Sequence, residues 1–217
     1  MKNDEYRVEL VSKYITQLNL SEDIKNYFLG RNILVTGGAG AIGSNLVIAL
    51  SELVGQTGIV IVLDNLSAIK GDDPIDYPSL VNVMFVNGDI RNDVDLKRVF
   101  REGPTIIFHL AAFFANQNSV DYPENSADVD IKGMIKLLDL AQFTKVERFV
   151  YASSGCAVYG SYGKMPLKED FISMHLTTPY QINKMAGEMY SNFYFHHYGL
   201  KTVNCRFFNS FGPGEVP

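Results

Sequence analysis

Short apolar runs alternate with longer stretches of helical periodicity along most of the chain. The run Ile59–Leu63 is apolar at every position, which is typical of a strand buried on both faces of a parallel sheet. Runs of this kind predict six strands, at Ile33–Thr36, Ile59–Leu63, Val83–Val86, Thr105–His109, Arg148–Ala152 and Thr202–Arg206. Apolar residues at helical spacing predict helices at Ile42–Leu53, Val94–Phe100, Ala127–Gln142 and Tyr180–Tyr198. This alternation predicts βαβ units, and therefore an α/β fold with a doubly wound parallel sheet.

Residues 1–30 follow a different pattern, in which apolar residues recur at intervals of three and four. These residues predict an amphipathic helix: Val8, Val11, Tyr14, Ile15 and Leu18. Ser21 is a candidate N-cap for a second short helix that ends near Gly30. We therefore divide the chain into a helical extension, 1–30, packed on a main domain, 31–217. The segment Ser67–Leu80, rich in glycine, proline and aspartate, is predicted as a surface loop.

Composition narrows the class of protein further. The chain has 217 residues, 47% of them hydrophobic and 20% charged, which excludes a disordered chain and a disulfide miniprotein. Its net charge of −5 disfavours a nucleic-acid partner. No apolar run is long enough to cross a bilayer, no signal-peptide core follows the charged N-terminus, and no histidine motif predicts a metal site. Cys156 and Cys205 suit a reducing compartment, so we expect a soluble, cytoplasmic protein.

A glycine-rich turn follows the first predicted strand and opens a helix. Within it, Gly37, Gly40 and Gly43 have the GxxGxxG spacing, a variant of the dinucleotide-binding fingerprint. Such glycines allow a tight turn, a close backbone approach to a pyrophosphate, and close packing of helix on strand. The helix N-terminus offers free N–H groups and a partial positive charge to the phosphates. The sequence therefore predicts a dinucleotide-binding loop.

Asp64 and Asn65 stand at the end of the second predicted strand. A carboxylate at this place accepts hydrogen bonds from the ribose hydroxyls of an adenosine. It also repels a 2′-phosphate, so the sequence favours NAD over NADP as the cofactor.

Tyr180 and Lys184 are four residues apart on a predicted helix, so their side chains lie on one face. A tyrosine hydroxyl titrates near ~10, and a nearby ammonium lowers that pKa. The pair can then take a proton from a sugar hydroxyl while a hydride leaves for nicotinamide. Because such pairs arise often by chance, this one gains its weight from the phosphate loop earlier in the chain.

From Arg31 to Gly214 the chain resembles the extended short-chain dehydrogenase/reductase family, in its NAD-dependent epimerase/dehydratase branch, which acts on nucleotide sugars. The matching segments are, in order, Thr36–Gly43, Asp64–Asn65, Gly88–Ile90, His109–Ala112, Ser153–Ser154 with Val158–Gly160, Pro179–Tyr180 with Lys184, and Arg206 to Asn209 with Gly212–Gly214. The resemblance implies a Rossmann fold that binds NAD and a C-terminal region that binds the sugar nucleotide. Because relatives continue beyond Pro217, that region is expected to be missing or truncated here, in a fragment or in a truncated paralogue.

The resemblance also assigns expected roles to individual residues. It places Asp89 and Ile90 beside adenine, Lys184 on the nicotinamide ribose as well as beside Tyr180, and Asn209 on substrate phosphate. The full set of expected cofactor-binding residues is Gly37, Gly40, Ala41, Ile42, Gly43, Asp64, Asn65, Asp89, Ile90, Leu110, Ala111, Ala112, Tyr180 and Lys184.

The chain departs from the family pattern near the expected catalytic serine or threonine. That position is Gly155, so we expect Ser154, one residue earlier, to bind the reacting sugar hydroxyl and to join Tyr180 and Lys184 as catalytic residues. The alternatives are that the contact is missing or that Cys156 acts as an acid/base, although a partly buried, inert thiol is the preferred interpretation. A further departure is Asp130, which stands where many relatives have asparagine.

The residues after Gly155 also bear on the reaction. Dehydratases of this branch carry an Asp–Glu pair where this chain has Cys156 and Ala157, and decarboxylases usually carry a glutamate there. We therefore expect an isomerase: a UDP-glucose 4-epimerase-like enzyme that epimerises a nucleotide sugar through a 4-keto intermediate. The alternatives are a nucleotide-sugar dehydratase or decarboxylase, and, in another class, a non-catalytic NAD-binding module.

Two predicted helices carry apolar residues on more than one face: Ala127–Gln142 and Tyr180–Tyr198. Since one face covers the sheet, the other indicates a second packing partner. Related enzymes form a two-fold dimer through these helices, so we expect a homodimer.

Overall fold

Six parallel strands form the centre of the molecule. A computed structural model describes residues 3–67, 80–113, 116–160 and 165–212. The strands are β1 Asn32–Thr36, β2 Ile59–Asp64, β3 Val83–Asn87, β4 Ile106–His109, β5 Arg148–Ser154 and β6 Thr202–Phe207. They form one sheet in the order β3-β2-β1-β4-β5-β6. All six predicted strands and the Rossmann topology are confirmed, and the largest difference is at β5, which continues to Ser154.

Helices cover both faces of this sheet. They are α1 Asn3–Gln17, α2 Glu22–Phe28, α3 Ala41–Val54, α4 Asp93–Phe100, α5 Asn116–Asp121, α6 Pro123–Ala127, α7 Met134–Phe143, α8 Gly155–Val158 and α9 Pro179–Tyr198, with a π-helical turn, Asp128–Gly133, between α6 and α7. Thr178 forms a capping box with Gln181 at the start of α9, and Gly199 ends that helix in the left-handed conformation. None of the described helices is long and apolar enough to cross a membrane.

The predicted helical segment Ala127–Gln142 is helical throughout, but it includes a π-helical turn that the sequence did not predict. The segment consists of the end of α6, the π-helical turn and α7. Within the turn, Gly133 lies so close to Ile90 that a Cβ added to it would come 2.7 Å from the Ile90 Cδ1 atom. Asp130, in the middle of the same turn, is buried among hydrogen-bond donors. The contacts of Gly133 with Ile90 and of Asp130 with Phe113 join residues far apart in the chain, so hydrophobic periodicity does not predict them.

Two apolar clusters lie on the two faces of the sheet. Alternate residues of the central strands supply them because successive side chains of a strand point to opposite faces. Leu34 and Ile61 belong to the larger cluster, whereas Ile33 and Val60 belong to the cluster beneath α3. The sheet is therefore buried on both sides, as its apolar runs predict.

The N-terminal residues form the two helices that the sequence predicts, and α1 packs against α3. The Ser21 side chain accepts a hydrogen bond from the Ile24 N–H and caps α2, as expected. Tyr14 and Leu18, however, are exposed, so the apolar face of α1 is only partly covered in this chain. The division at residue 30 stays a prediction, and the predicted loop Ser67–Leu80 lies almost wholly outside the described residues.

Candidate active site

A cleft of about 870 Å³ lies at the carboxyl ends of the strands. In open parallel sheets, ligands bind where neighbouring connections diverge to opposite faces, which here is between β1 and β4. Every site residue predicted from the sequence lines this cleft: Gly37, Gly40, Ala41, Ile42, Gly43, Asp64, Asn65, Asp89, Ile90, Leu110, Ala111, Ala112, Ser154, Tyr180, Lys184 and Asn209. The structure thus brings the whole set together, and the role of each residue stays a prediction.

The glycine-rich turn packs too tightly for larger residues. Gly37 has a φ of +71°, and a Cβ there would come 2.5 Å from the Ala111 backbone nitrogen. A Cβ on Gly43 would lie 2.1 Å from the Gly37 carbonyl oxygen, so α3 rests directly on the turn. Gly40 is the N-cap of α3 and offers no side-chain cap. The first turn of α3 therefore presents its N–H groups and its partial positive charge to the cleft.

The Asp64 carboxylate lies beside this turn and is held in place by two backbone N–H groups. Its Oδ2 atom accepts a hydrogen bond from the Ala39 N–H at 2.9 Å, and its Oδ1 atom accepts one from the Leu66 N–H at 2.8 Å. Next to it, Asn65 donates to Asp89 at 3.0 Å. The Arg91 guanidinium, hydrogen-bonded to Asp89, lowers the pKa of that carboxyl to about 2. Both carboxylates at this end of the cleft are held by neighbouring donors.

Tyr180 and Lys184 lie at the other end of the cleft. The Lys184 side chain is buried, and its Nζ atom donates to the Ala152 carbonyl at 2.8 Å and lies 5.7 Å from the centroid of the Tyr180 ring. Burial raises the pKa of Tyr180, and a hydrogen bond with Ser154 opposes the rise. The expectation that the nearby ammonium lowers the pKa of Tyr180 is therefore wrong for this chain, because the phenol is desolvated and the Lys184 ammonium donates to a carbonyl.

Ser154 stands at the junction of β5 and α8. It is the N-cap of α8 and accepts a hydrogen bond from the Ala157 N–H at 3.3 Å. The same side chain is near enough to the phenol to oppose the rise that burial causes in the pKa of Tyr180, in spite of the one-residue offset. Gly155 is covered by the Phe208 ring, which a Cβ on Gly155 would approach to 2.5 Å. The glycine and the phenylalanine therefore fit each other.

Cys156 differs from the expectation of a partly buried thiol. It is exposed and lines the cleft, and its Sγ atom lies 3.9 Å from the Asn209 Oδ1 atom. The thiol is exposed because Cys156 lies in the short helix α8, beside the two buried residues Gly155 and Ala157, and faces into the cleft.

Asp130 forms a buried polar centre near Lys184. Its carboxylate accepts hydrogen bonds from the Phe113 N–H at 2.7 Å, from Ser126 at 3.1 Å and from Asn183 at 3.3 Å. Burial raises the pKa of Asp130, and the Lys184 ammonium opposes that rise. In turn burial lowers the pKa of Lys184 while Asp130 raises it. Asp130 thus acts as a counter-charge to Lys184, a role that the sequence signalled only as a departure from the family pattern.

A buried ion pair fixes α9 to the last strands. Arg206 donates to both carboxylate oxygens of Glu188, with its Nη2 atom at 2.8 Å from Oε2. Ser153 donates to the same carboxylate at 2.5 Å. This connection holds the helix that carries Tyr180 against β5 and β6. Sequence reasoning noted Arg206 and Ser153 but missed Glu188, because the partners lie far apart in the chain.

His109 is buried at the end of β4 and has a structural environment. Its Nδ1 atom lies 2.7 Å from the Thr36 Oγ1 atom, and its ring stacks on Tyr151. Burial, with a smaller contribution from the Lys184 ammonium, lowers the pKa of His109 to about 3. Within the described ranges, no group of three or more His, Cys, Asp or Glu side chains is placed to hold a metal ion.

Comparisons with known proteins extend this picture. A doubly wound sheet with a glycine-rich turn and an acidic residue after β2 defines a dinucleotide-binding protein. Residues 33–217 match the family described as "NAD dependent epimerase/dehydratase family", and the chain belongs to that family. The family identified from the sequence motifs is therefore confirmed.

Individual relatives in this family include epimerases of known structure. The fold is similar to that of an epimerase from Methanothermobacter thermautotrophicus, with a TM-score of 0.84 and 51% identity, over 90% of this chain and 56% of that one. It is also similar to a UDP-glucose 4-epimerase from Thermotoga maritima, solved with UDP-glucose, with a TM-score of 0.75 and 36% identity, over 85% of this chain and 58% of that one. A UDP-glucose 4-epimerase from Mycolicibacterium smegmatis is 36% identical over 85% of this chain and 58% of its own length. The chain thus spans less than two thirds of the length of these relatives.

Proposed function

We propose that this protein is an NAD-dependent epimerase that inverts C4 of a nucleotide sugar through a 4-keto intermediate, in the manner of UDP-glucose 4-epimerases. One observation carries the proposal. Tyr180, Lys184 and Ser154 meet at one end of a cleft whose other end holds the glycine-rich turn and Asp64. The relatives named as UDP-glucose 4-epimerases support the same activity.

The cleft has the features that NAD requires. A Cβ on Gly37 would come 2.5 Å from the Ala111 backbone nitrogen, so the turn packs directly on the chain after β4, as the tight glycine turn of a pyrophosphate site requires. The uncapped first turn of α3 would bind the phosphates, and Asp64 would accept hydrogen bonds from the adenosine ribose. Lys184 would hold the nicotinamide ribose. When bound, NAD supplies the hydride acceptor and the positive charge of its nicotinamide ring.

In this proposal, Tyr180 takes the proton of the sugar C4 hydroxyl and later returns it. Ser154 donates a hydrogen bond that favours the ionised phenol, as the direction of its effect on the Tyr180 pKa supports. Lys184 adds positive charge, and the Asp130 carboxylate opposes the lowering of the Lys184 pKa that burial causes. The burial that raises the pKa of Tyr180 also keeps water from the reacting atoms.

The same residues favour epimerisation over elimination. Loss of water from a 4-keto sugar needs one group to remove the C5 proton and another to protonate the leaving hydroxyl. Neither Cys156 nor Ala157 provides a carboxyl group beside Ser154. Epimerisation needs the Tyr–Lys pair, a cofactor that stays bound, and room for the keto sugar to turn.

The experiment is product analysis with the protein in its natural full length. Separate samples of the protein are incubated with UDP-glucose, with UDP-N-acetylglucosamine and with UDP-glucuronate, and NAD is present in each sample. A stereoisomer of unchanged mass supports the proposal. A product that has lost water indicates the dehydratase, and one that has lost carbon dioxide indicates the decarboxylase. NAD binding with no product from any sugar of the panel favours the non-catalytic binding module.

Cofactor choice has a separate test at Asp64. We propose that this carboxylate repels the 2′-phosphate of NADP, so NAD binds more tightly. Calorimetric titration with both cofactors should show that preference, and Asp64→Asn, which removes the charge but keeps an acceptor oxygen, should reduce it about tenfold. Tighter binding of NADP by the unaltered protein would contradict the assignment.

We further propose a homodimer that works in the cytoplasm. Support for the dimer comes from α9, where Ile182, Met189 and Phe193 are exposed at spacings of seven and four and so lie along one face. The cysteines, which are free, are consistent with a reducing compartment.

A further inference from the structure

The N-terminal helix α1 brings a guanidinium group to the phosphate-binding turn. The Arg7 Nε atom donates to the Asn45 Oδ1 atom at 3.0 Å, and the Arg7 Nη2 atom donates to the Ser44 hydroxyl. Ser44 and Asn45 directly follow Gly43, the last glycine of the turn. Arg7 thus reaches the first turns of α3 from a segment that precedes β1.

The two partners of Arg7 are themselves bound to the start of α3. Ser44 donates to the Gly40 carbonyl at 2.5 Å, and the Asn45 amide donates to the Ala41 carbonyl at 2.8 Å. Asn45 also lines the cleft together with Gly40 and Ala41. One side chain therefore separates the Arg7 guanidinium from the cleft where the helix N-terminus lies.

The charge of Arg7 complements this end of the cleft. An arginine stays protonated at every physiological pH. Two charged side chains, Asp64 and Asp89, line the same end of the cleft, and both are carboxylates. Their negative charges repel the negatively charged pyrophosphate. A fixed positive charge behind the first turn of α3 adds to the field of the helix N-terminus and offsets these carboxylates.

Anchoring of α1 does not depend on Arg7 alone. One and a half turns further along, Ser12 hydrogen-bonds Glu52 near the other end of α3. Val8, Val11 and Ile15 are half-buried on the same helix. The charge of Arg7 can therefore be removed while the other contacts of the helix remain.

We propose that Arg7 is a positioning residue for the phosphate-binding turn: through Ser44 and Asn45 it holds the start of α3, and its charge strengthens the binding of a dinucleotide pyrophosphate at that helix N-terminus. This inference rests on the proposed function, since it takes the glycine-rich turn as the place of the phosphates. It makes α1, which precedes β1, a functional part of the cofactor site.

The test compares ligands with and without phosphates. ADP, NAD and adenosine are titrated calorimetrically into the full-length protein and into Arg7→Gln, Arg7→Lys and Lys13→Gln. Lys13 is the matched control, because it lies on the same helix but is exposed and paired with Glu9. Arg7→Gln should lower the affinity of the protein for ADP and for NAD roughly tenfold and leave its affinity for adenosine unchanged. Arg7→Gln should also make ADP affinity less dependent on salt concentration. Arg7→Lys, which keeps the charge, should retain much of the ADP affinity and of its salt dependence.

Three results would overturn the inference. Equal losses of adenosine and ADP affinity would mean that Arg7 only shapes the turn. Unchanged ADP affinity in Arg7→Gln, or an equal loss in Lys13→Gln, would mean that its charge is not used at this site. Failure of the unaltered protein to bind either ADP or NAD would instead overturn the proposed function, together with the inference that rests on it.

Discussion

At Tyr180, burial and hydrogen bonding act on the same phenol in opposite directions. Burial raises its pKa, and Ser154 lowers it. The nearby Lys184 donates to the Ala152 carbonyl, and Asp130 opposes the lowering of its pKa by burial. The pKa values of Tyr180 and Lys184 therefore depend on residues of α9, of β5 and of the π-helical turn.

We expect Tyr180→Phe to reduce turnover by 10²–10⁴-fold, because it removes only the titrating hydroxyl. The ring and its packing remain, so NAD affinity should be close to that of the unaltered protein. Lys184→Ala should lower both turnover and NAD affinity, because under the proposed function its ammonium holds the nicotinamide ribose and adds positive charge near Tyr180. Steady-state kinetics and cofactor titration separate the two effects, and near-full turnover in Tyr180→Phe would refute the mechanism.

His109 gives a prediction about stability and pH. Its pKa is about 3 in the folded state, against 6.5 when unperturbed, so the unfolded chain binds the proton more readily. Its contribution to stability is therefore fully present above pH 6.5 and is lost as the pH falls towards 3. In that range the contribution should change by about 1.4 kcal/mol per pH unit.

Urea unfolding at several pH values measures this effect. His109→Gln should be less stable than the unaltered protein near pH 7 because it loses the fit against Thr36 and Tyr151. The difference between the two proteins should shrink as the pH falls below 6.5. A constant difference from pH 7 to pH 4 would show that His109 is not the titrating group.

On the scale of elements, the sequence predicts what depends on local pattern. All six strands, α3, α4 and α9 follow from apolar runs, helical periodicity and capping residues, and the glycine spacing locates the turn at the start of α3. The π-helical turn, Asp128–Gly133, and the short helix α8 do not follow, because they depend on the contacts of Gly133 with Ile90 and of Gly155 with Phe208. The sequence predicts the cleft residues that lie in the family motifs. It does not predict Glu188, whose partner Arg206 lies on another element.

The junction of α8 with β6 can be tested at Gly155. Gly155→Ser restores the residue type expected in the family, but its Cβ would press on the Phe208 ring, which stacks on Tyr159. We expect a loss of about 1–2 kcal/mol in the free energy of unfolding, because the ring must leave that stack.

A double-mutant cycle measures the coupling of these two residues. In a Phe208→Leu background, the cost of Gly155→Ser should largely disappear, since the ring is gone. Additive effects of the two substitutions would show that the ring does not select the glycine. Chemical denaturation of all four proteins gives the coupling free energy.

On the scale of the whole molecule, apolar residues remain exposed along α9. Met189 is 51% exposed and Phe193 is 47% exposed, on a helix whose other face packs on the sheet. A patch of this kind indicates a protein interface.

We expect Phe193→Glu to convert the dimer to a monomer at micromolar concentration, because it places a charge in the apolar interface. Val81→Glu is the matched control, since Val81 is exposed just before β3, at the opposite edge of the sheet from β5 and β6, on which α9 packs. Light scattering of the full-length proteins measures both. A monomer in the unaltered protein, or dimers of equal stability in both variants, would contradict the proposal.

The strand order divides the cleft between two stretches of sequence. Asp64, expected to select the cofactor, ends β2, and Asp89, expected beside adenine, follows β3. Ser154, expected on the sugar hydroxyl, ends β5, and Asn209, expected on substrate phosphate, follows β6. The two sets lie on opposite sides of the β1–β4 junction. Substitutions at one set can therefore leave the other set untouched. Under the proposed function, the selectivity for the sugar and the selectivity for the dinucleotide would be separately adjustable in this fold.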